Sequence, residues 1–326
     1  MLQQGSLVVA NDFQNSDLFW ALRGGGGGSW GVVLSVTIRT FPDPPVVVQS
    51  LTISSANYTA FWDLVEEFHV KLPEVDDAGG SGYYFLTGAA AGNVSSLAMA
   101  LFFVGQTNET VVAELLDPLI EYANKTLGAS SVVGRRVQAP AFRFLMDELL
   151  PGDSDTSGAI VRIGSRLVSR DLLSHRAGAA ALTDALRQVF APGVGAGGLI
   201  TGHVVAGGQV ARNAGLDVAV NPAWRRTLTH LVGGVSWPQG ATVAEQRALE
   251  RTVTEVMVPL FARLEPDMGA YLNEADANER DFQRSFWGKN YPRLREVKKK
   301  WDPKGIFITR RGVGSEDWDE EGFCRV

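Results

Sequence analysis

The spacing of apolar and polar residues along the chain predicts strands that alternate with long helices. Apolar residues recur every three or four positions in the expected helices, and β-branched or aromatic residues cluster in the expected strands. The predicted strands are residues 5–10, 32–39, 46–53, 82–87, 95–104, 132–137, 160–168, 199–205 and 226–235, with a turn at 79–82. The predicted helices are residues 16–22, 56–72, 109–127, 172–190, 242–264, 279–287 and 290–300. This order favours an α+β fold, in which helices cover one side of an antiparallel sheet.

A run of five glycines, residues 24–28, separates the first predicted helix from Ser29 and Trp30. Glycine has no side chain, so its backbone can approach a ligand closely, and successive N–H groups can converge on an anion. No Lys-Ser or Lys-Thr pair follows the run, which excludes a Walker A loop. A strand-like segment follows instead of a long helix, which argues against a Rossmann loop. A flexible linker is the alternative interpretation, although the flanking tryptophans are atypical of linkers.

Composition limits the classes of partner. The 326 residues carry a net charge of −6, so nothing indicates binding to nucleic acid, and no apolar run reaches the length of a membrane span. The single cysteine, Cys324, cannot form an internal disulfide. Glycosylation sequons begin at Asn57, Asn93, Asn108 and Asn124. This number exceeds chance, so we expect a secreted glycoprotein, although the first residues lack the pattern of a signal peptide.

Two motifs near opposite ends of the chain carry a family resemblance. Residues 5–10 and 17–33, which include the glycine run, resemble the end of the flavin-binding domain of certain FAD-linked oxidases. These are the berberine-bridge-enzyme-like, PCMH-type oxidases of the vanillyl-alcohol-oxidase superfamily. Residues 271–274 and 286–294 resemble the C-terminal berberine-like segment of that group. The second motif continues with Lys298, Asp302, Pro303 and Phe307.

The resemblance implies three segments. Residues 1–41 correspond to the C-terminal part of a PCMH-type FAD-binding domain, and residues 42–271 to a substrate domain with an antiparallel sheet covered by helices. Residues 272–326 correspond to a berberine-like segment that returns to the flavin. The resemblance also implies that the N-terminal half of the FAD domain, with its pyrophosphate loop and its flavin-attaching residues, is missing here. We therefore expect a fragment or a truncated product.

The resemblance further implies FAD as cofactor, with molecular oxygen and a small-molecule substrate as partners. Such an oxidase removes a hydride from an alcohol, an amine or a similar C–H substrate, and a base takes the accompanying proton. The catalytic candidates that match by position are Tyr271, Glu274 and Tyr291. The expected cofactor contacts are Gly27, Gly28, Ser29, Gly31, Val32, Val33, Asn290 and Tyr291. Capping of the last predicted helix is an alternative role for Asn290.

The segment around Tyr271 and the histidines allow two further expectations. If residues 269–274 form a strand, Tyr271 and Glu274 lie on opposite faces. The four histidines are scattered and match no motif, so we interpret them as structural or surface residues and expect no metal site. They are His69, His175, His203 and His230.

Two other functions stay open. One is a non-catalytic secreted remnant that binds a small molecule without flavin. The other is a different nucleotide-binding enzyme that uses the glycine run to hold phosphate, a function for which the absence of a following lysine is unfavourable.

Overall fold

A seven-stranded sheet organises the part of the chain that the computed structural model describes, namely residues 2, 5–88, 94–128, 131–143, 160–191, 194, 198–319 and 322–326. The strands are β1 (Val46–Ser55), β2 (Gly80–Thr87), β3 (Ser95–Val104), β4 (Val132–Ala139), β5 (Val161–Ser169), β6 (Ile200–Val204) and β7 (Thr227–Ser236). Their order is β4-β1-β3-β2-β6-β7-β5, and each of these neighbouring pairs is antiparallel. The predicted α+β class is confirmed.

Helices of very different lengths precede, connect and follow the strands. They are α1 (Ser16–Leu22), α2 (Tyr58–Asp77), α3 (Glu109–Leu127), α4 (Arg170–Leu173), α5 (Arg176–Val189), α6 (Gly208–Arg212), α7 (Val243–Arg251), α8 (Val258–Ala262), α9 (Phe282–Trp287) and α10 (Tyr291–Trp301). A π-helical turn, Thr252–Met257, joins α7 to α8 inside the single helix that the sequence predicts at 242–264. Short 3-10 turns are Asn213–Gly215, Pro222–Arg225, Leu272–Glu274, Gly288–Asn290 and Ser315–Asp317. None of the helices among the described residues combines the length and apolarity needed to cross a bilayer.

The larger core lies between the sheet and the helices α2, α3 and α5. Along β3, Leu97, Leu101 and Phe103 are fully buried and alternate with partly exposed residues. On α2, Phe61 and Phe68 belong to a buried stripe that faces the sheet. These are the period-two and helical spacings from which the elements are predicted, so the local pattern and the packing agree here.

Two predicted strands do not form. Residues 5–10 and 32–39 have no regular secondary structure, and Leu7 and Val36 are 70% and 76% exposed. A strand needs a neighbour that satisfies its backbone N–H and C=O groups. The seven-stranded sheet of the described residues takes in neither segment, so a strand-like pattern alone does not produce a strand.

The turn predicted at residues 79–82 is also misplaced. The chain turns at Ala78 and Gly79, where the Gly79 N–H donates a hydrogen bond to Asp76 O at 2.9 Å. Strand β2 begins immediately afterwards, at Gly80. Glycines in this stretch therefore lie in the strand as well as in the turn, and the glycine content alone does not show where the turn ends and the strand begins.

A glycine on β6 makes room for a buried tyrosine on β2. Gly202 lies opposite Tyr84 in the antiparallel register, and a Cβ at position 202 would lie 1.9 Å from Tyr84 Cζ. Tyr84 is fully buried, and its hydroxyl lies 3.1 Å from His69 Nε2 and 3.4 Å from Thr229 Oγ1. The ring cannot move away without losing these hydrogen bonds, so position 202 requires glycine.

We predict that Gly202→Ala lowers the free energy of unfolding by about 1–3 kcal/mol, because the added methyl group overpacks the core against Tyr84. Chemical denaturation measures the change. Gly198→Ala is the matched control, since a Cβ at position 198 has no neighbour within 4 Å. Equal losses in the two variants would contradict the packing argument.

Candidate functional site

A second, smaller apolar core joins the start of the chain to its C-terminal part. Its buried members are Leu18, Trp20, Ala21, Trp30, Ala219, Ala270, Phe282, Phe286, Trp287, Leu294, Val297 and Val313. Trp287 Nε1 donates a hydrogen bond to Gly24 O at 3.2 Å, and Trp20 Nε1 donates one to Asp217 Oδ1 at 2.7 Å. The Arg293 guanidinium lies 3.9 Å from the centre of the Trp20 ring and also pairs with Asp217. Helices α1, α9 and α10 thus pack as one unit around the glycine run.

Close packing explains why glycine fills this run. A Cβ at Gly24 would lie 2.3 Å from the backbone nitrogen of Val220, and one at Gly26 would lie 2.8 Å from Leu272 Cδ2. Gly24 and Gly26 also have φ angles of 118° and 100°, which L side chains rarely adopt. At Gly27, by contrast, a Cβ would meet nothing within 4 Å. The run is packed on one side and open on the other, which argues against a flexible linker.

A buried lysine fixes the glycine run against the C-terminal part. Lys298 Nζ donates hydrogen bonds to Ser29 O at 2.7 Å, to Asp302 Oδ2 at 2.7 Å and to Phe307 O at 2.5 Å. The side chains of Lys298 and Asp302 are 5% and 0% exposed. Burial lowers the pKa of Lys298, while the adjacent Asp302 carboxylate acts in the opposite direction. We call this arrangement of Lys298, Asp302, Ser29 and Phe307 the lysine clamp.

A cavity of about 310 Å³ opens between the glycine run and the segment that begins at Ala270. Its lining residues are Leu22, Gly24, Gly26, Gly27, Gly28, Trp30, Gly31, Val33, Val220, Asn221, Trp224, Ala270, Tyr271, Leu272, Asn273 and Phe286. Backbone forms one wall, and aromatic side chains supply much of the rest. This volume lies at the lower end of the range for small-molecule sites, roughly 300–1,000 Å³.

The cavity is lined by some, but not all, of the site residues that the sequence predicts. The predicted residues that line it are Gly27, Gly28, Gly31, Val33 and Tyr271. The predicted residues outside its lining are Ser29, Val32, Glu274, Asn290 and Tyr291. Ser29 is 1% exposed, and its carbonyl belongs to the lysine clamp. The predicted cofactor and catalytic roles stay predictions, both for the residues that line the cavity and for those that do not.

Tyr271 and Glu274 do not lie on a strand. Leu272–Glu274 is a 3-10 turn, closed by a hydrogen bond of 3.0 Å from Glu274 N to Tyr271 O. Residues three apart in such a turn point the same way. The Tyr271 ring centre therefore lies 5.8 Å from that of His230, and Glu274 Oε2 lies 3.4 Å from His230 Nδ1. The expected placement on opposite faces is wrong, because the backbone turns where a strand would continue.

Asn290 and Tyr291 bind other parts of the protein. Asn290 Nδ2 donates hydrogen bonds to Val218 O at 3.2 Å and to Val220 O at 2.9 Å. Asn290 precedes α10 but makes no side-chain capping bond, so the alternative role of capping this helix is wrong. The Tyr291 hydroxyl donates to the Glu316 carboxylate, whose oxygens lie 2.5 and 2.6 Å away, and burial raises the pKa of Tyr291.

Two histidines that are distant in sequence meet beside Glu274. His203 on β6 and His230 on β7 are direct partners in the antiparallel register, and their Nδ1 atoms lie 3.4 Å apart. Burial, followed by the effect of His203, lowers the pKa of His230 to about 3. Burial also lowers the pKa of His203, while Glu274 opposes that shift. The sequence does place both histidines on strands, but it does not reveal the register that pairs them.

Comparison with known proteins supports the family resemblance. The berberine and berberine-like family matches residues 270–314. An uncharacterized FAD-linked oxidoreductase of Arthroderma benhamiae is 44% identical over 98% of this chain and 55% of its own length. The FAD-linked oxidoreductase malF of Malbranchea aurantiaca is 39% identical over 98% of this chain and 53% of its own length. The crystal structure of a VAO-type flavoprotein from Myceliophthora thermophila C1 has a TM-score of 0.86 and 28% identity, and the match covers 100% of this chain and 58% of that chain.

This chain belongs to the FAD-linked oxidoreductases of the vanillyl-alcohol-oxidase and berberine-bridge-enzyme-like family. Its seven-stranded sheet with helices corresponds to the VAO-type substrate domain, and a berberine-like segment follows. The chain spans about half the length of the relatives that it matches. The segment boundaries after residues 41 and 271 stay predictions.

Three of the predicted glycosylation sites, Asn57, Asn108 and Asn124, are exposed. The fourth, Asn93, lies outside the described residues. The side-chain oxygens of Asn57 and Asn108 cap α2 and α3 by accepting backbone hydrogen bonds. A glycan attaches to the side-chain nitrogen, so capping and glycosylation are compatible. Glycosylation and secretion stay predictions.

We predict that Lys298→Met lowers the free energy of unfolding by about 3–5 kcal/mol, because it leaves the Asp302 carboxylate buried without its cation. Chemical denaturation of the purified chain measures this loss. Lys299→Met serves as control, since the Lys299 side chain is 59% exposed, and we expect a change within about 0.5 kcal/mol. A similar small change in both variants would show that the clamp does not stabilise the fold.

Proposed function

We propose that this chain acts in a FAD-dependent oxidase that removes a hydride from an alcohol, an amine or a similar C–H substrate and passes the electrons to oxygen. The observation that carries the proposal is the cavity in which the backbone of the glycine run faces Tyr271. The two motifs that suggest a flavoprotein from sequence therefore meet at one concave site. The FAD-linked relatives support the same conclusion.

The residues around the cavity fit a flavin ring. Gly27 faces open space, and the backbone of Gly28 and Gly31 continues the same wall. Trp224 and Phe286 offer apolar aromatic surface on other sides. We assign the main chain of the glycine run and the side chain of Val33 to contacts with the ring system. When bound, FAD supplies the hydride acceptor that these side chains lack.

Within this proposal, Tyr271 accepts the substrate proton. Its hydroxyl accepts a hydrogen bond from Asn273 Nδ2, 2.5 Å away, which orients the oxygen. The Trp224 ring, 5.7 Å from the Tyr271 ring between centres, restricts its orientation. Glu274 and Tyr291 do not line the cavity, so we assign the substrate-facing role to Tyr271.

We predict that Gly27→Phe weakens the binding of added FAD by at least about tenfold, because the new ring occupies the space assigned to the flavin. Equilibrium dialysis of the purified chain against FAD measures the affinity, and thermal unfolding checks that the fold is kept. Gly198→Phe is the control, since position 198 also meets open space but lies outside the cavity.

Equal FAD affinities in the wild type and both variants would contradict the assignment of the cavity to flavin. Binding of other small molecules in the cavity without any affinity for FAD would instead favour the flavin-free binding protein. The cavity and its aromatic walls would then serve a ligand directly.

We predict that Tyr271→Phe lowers kcat/KM by about 100-fold or more, the range typical of a lost general base, while FAD affinity is kept. Hydrogen peroxide release by the flavin-loaded protein, screened over alcohols and amines, measures the activity. Tyr58→Phe is the matched control, because Tyr58 is 48% exposed at the start of α2. An unchanged pH profile and rate in Tyr271→Phe would remove Tyr271 from the reaction.

A further inference from the structure

Three potential metal ligands converge beside the cavity, next to the ring of Tyr271. His203 Nδ1 and His230 Nδ1 lie 3.4 Å apart, and Glu274 Oε2 lies 3.5 Å from the first nitrogen and 3.4 Å from the second. The side chains of His203, His230 and Glu274 are 16%, 1% and 34% exposed. The three atoms therefore form a nearly equilateral triangle that is largely shielded from solvent.

The size of this triangle matches the coordination shell of zinc. Zinc binds imidazole nitrogen and carboxylate oxygen at roughly 2.0–2.1 Å, so neighbouring ligands in a tetrahedron lie about 3.3–3.4 Å apart. The observed separations agree with one face of such a tetrahedron. Hydrogen bonds explain them less well, because ordinary N–H···O distances are about 2.7–3.2 Å.

The backbone fixes two of the three ligands before any cation arrives. His203 and His230 face each other across the β6–β7 pair, whose register also joins Ile200 to Gly233. The third ligand, Glu274, comes from the 3-10 turn and is the most exposed of the three. Two imidazoles on neighbouring strands and one carboxylate from a turn thus point at a common centre.

We propose that His203, His230 and Glu274 bind a divalent cation of the zinc type. Two histidines and one glutamate are a ligand set found in zinc sites that keep a fourth position open. Water or a heteroatom of a small molecule can occupy that position. This role replaces the earlier interpretation of the histidines as structural, and it does not rest on flavin binding.

The test uses the purified full chain without a histidine tag, with Zn²⁺ and Co²⁺ as the probes. After dialysis we expect about one Zn²⁺ per chain by elemental analysis, and Co²⁺ should give the visible absorption of a tetrahedral site. Glu274→Gln keeps the size of the side chain but weakens the ligand, and His203→Gln removes one nitrogen. Each substitution should lower Zn²⁺ affinity by about 100-fold or more, since even outer-shell changes weaken metal binding roughly 10- to 100-fold.

His175→Gln is the control, because His175 is exposed and lies outside the cluster. It should bind Zn²⁺ like the wild type, and Zn²⁺ should raise the unfolding temperature of both but not of Glu274→Gln. Circular dichroism establishes whether each variant is folded. If Glu274→Gln does not fold, the Zn²⁺ affinity of His203→Gln tests the site instead. Stoichiometric binding that all variants retain, or no binding above background by the wild type, would overturn the proposal.

Discussion

The position of the glycine run depends on one buried ammonium group. Lys298 carries its amine into the interior, where three oxygens accept its hydrogen bonds. Removing a charge from water is unfavourable, so a buried lysine is tolerated only where such acceptors surround it. Asp302 meets this need and also accepts the backbone N–H groups of Ile306 and Phe307, each at 2.9 Å. The clamp therefore orders the chain after α10 and the glycine run together.

A second buried ion pair ties the same C-terminal segment to the sheet. Arg166 on β5 forms two hydrogen bonds of 2.9 Å with the Glu279 carboxylate, and both side chains are less than 10% exposed. Ser285 adds a further hydrogen bond to Glu279, at 2.9 Å. The segment that follows Tyr271 thus carries one attachment to the sheet, at Glu279, and another to the glycine run, at Lys298. This explains how residues far apart in sequence enclose one cavity.

The sequence predicts the parts of this arrangement that depend on local pattern. The helix at 109–127 matches Glu109–Leu127, and the strands at 95–104 and 132–137 correspond to β3 and β4. The pattern predicts strands wrongly at residues 5–10 and 32–39. A strand forms only when a neighbouring strand satisfies its backbone hydrogen bonds, and the local sequence does not reveal whether such a neighbour exists. The strand considered for residues 269–274 does not form either, since Leu272–Glu274 is a 3-10 turn.

The histidine pair shows that a site, like a strand, can depend on contacts that the local sequence does not reveal. His203 and His230 are 27 residues apart, and only the register of β6 against β7 brings them face to face. A shift of one residue in that register would move one imidazole to the other face of the sheet. Spacing motifs identify sites built within one element, so a site assembled from two strands and a turn has no such signature.

The turn that follows Ala270 brings two side chains to the same histidine, His230, within four residues. Tyr271 lines the apolar cavity, whereas Glu274, one 3-10 turn later, meets the two imidazoles. A 3-10 helix advances by about 120° per residue, so inserting or deleting one residue here would rotate the second side chain away from its partners. The ends of the turn are fixed by the Glu274 N–H bond to Tyr271 O and by the packing of Leu272 against Gly26. A Cβ at position 26 would lie 2.8 Å from Leu272 Cδ2, so the glycine run and this turn pack directly against each other and leave no room for a side chain between them.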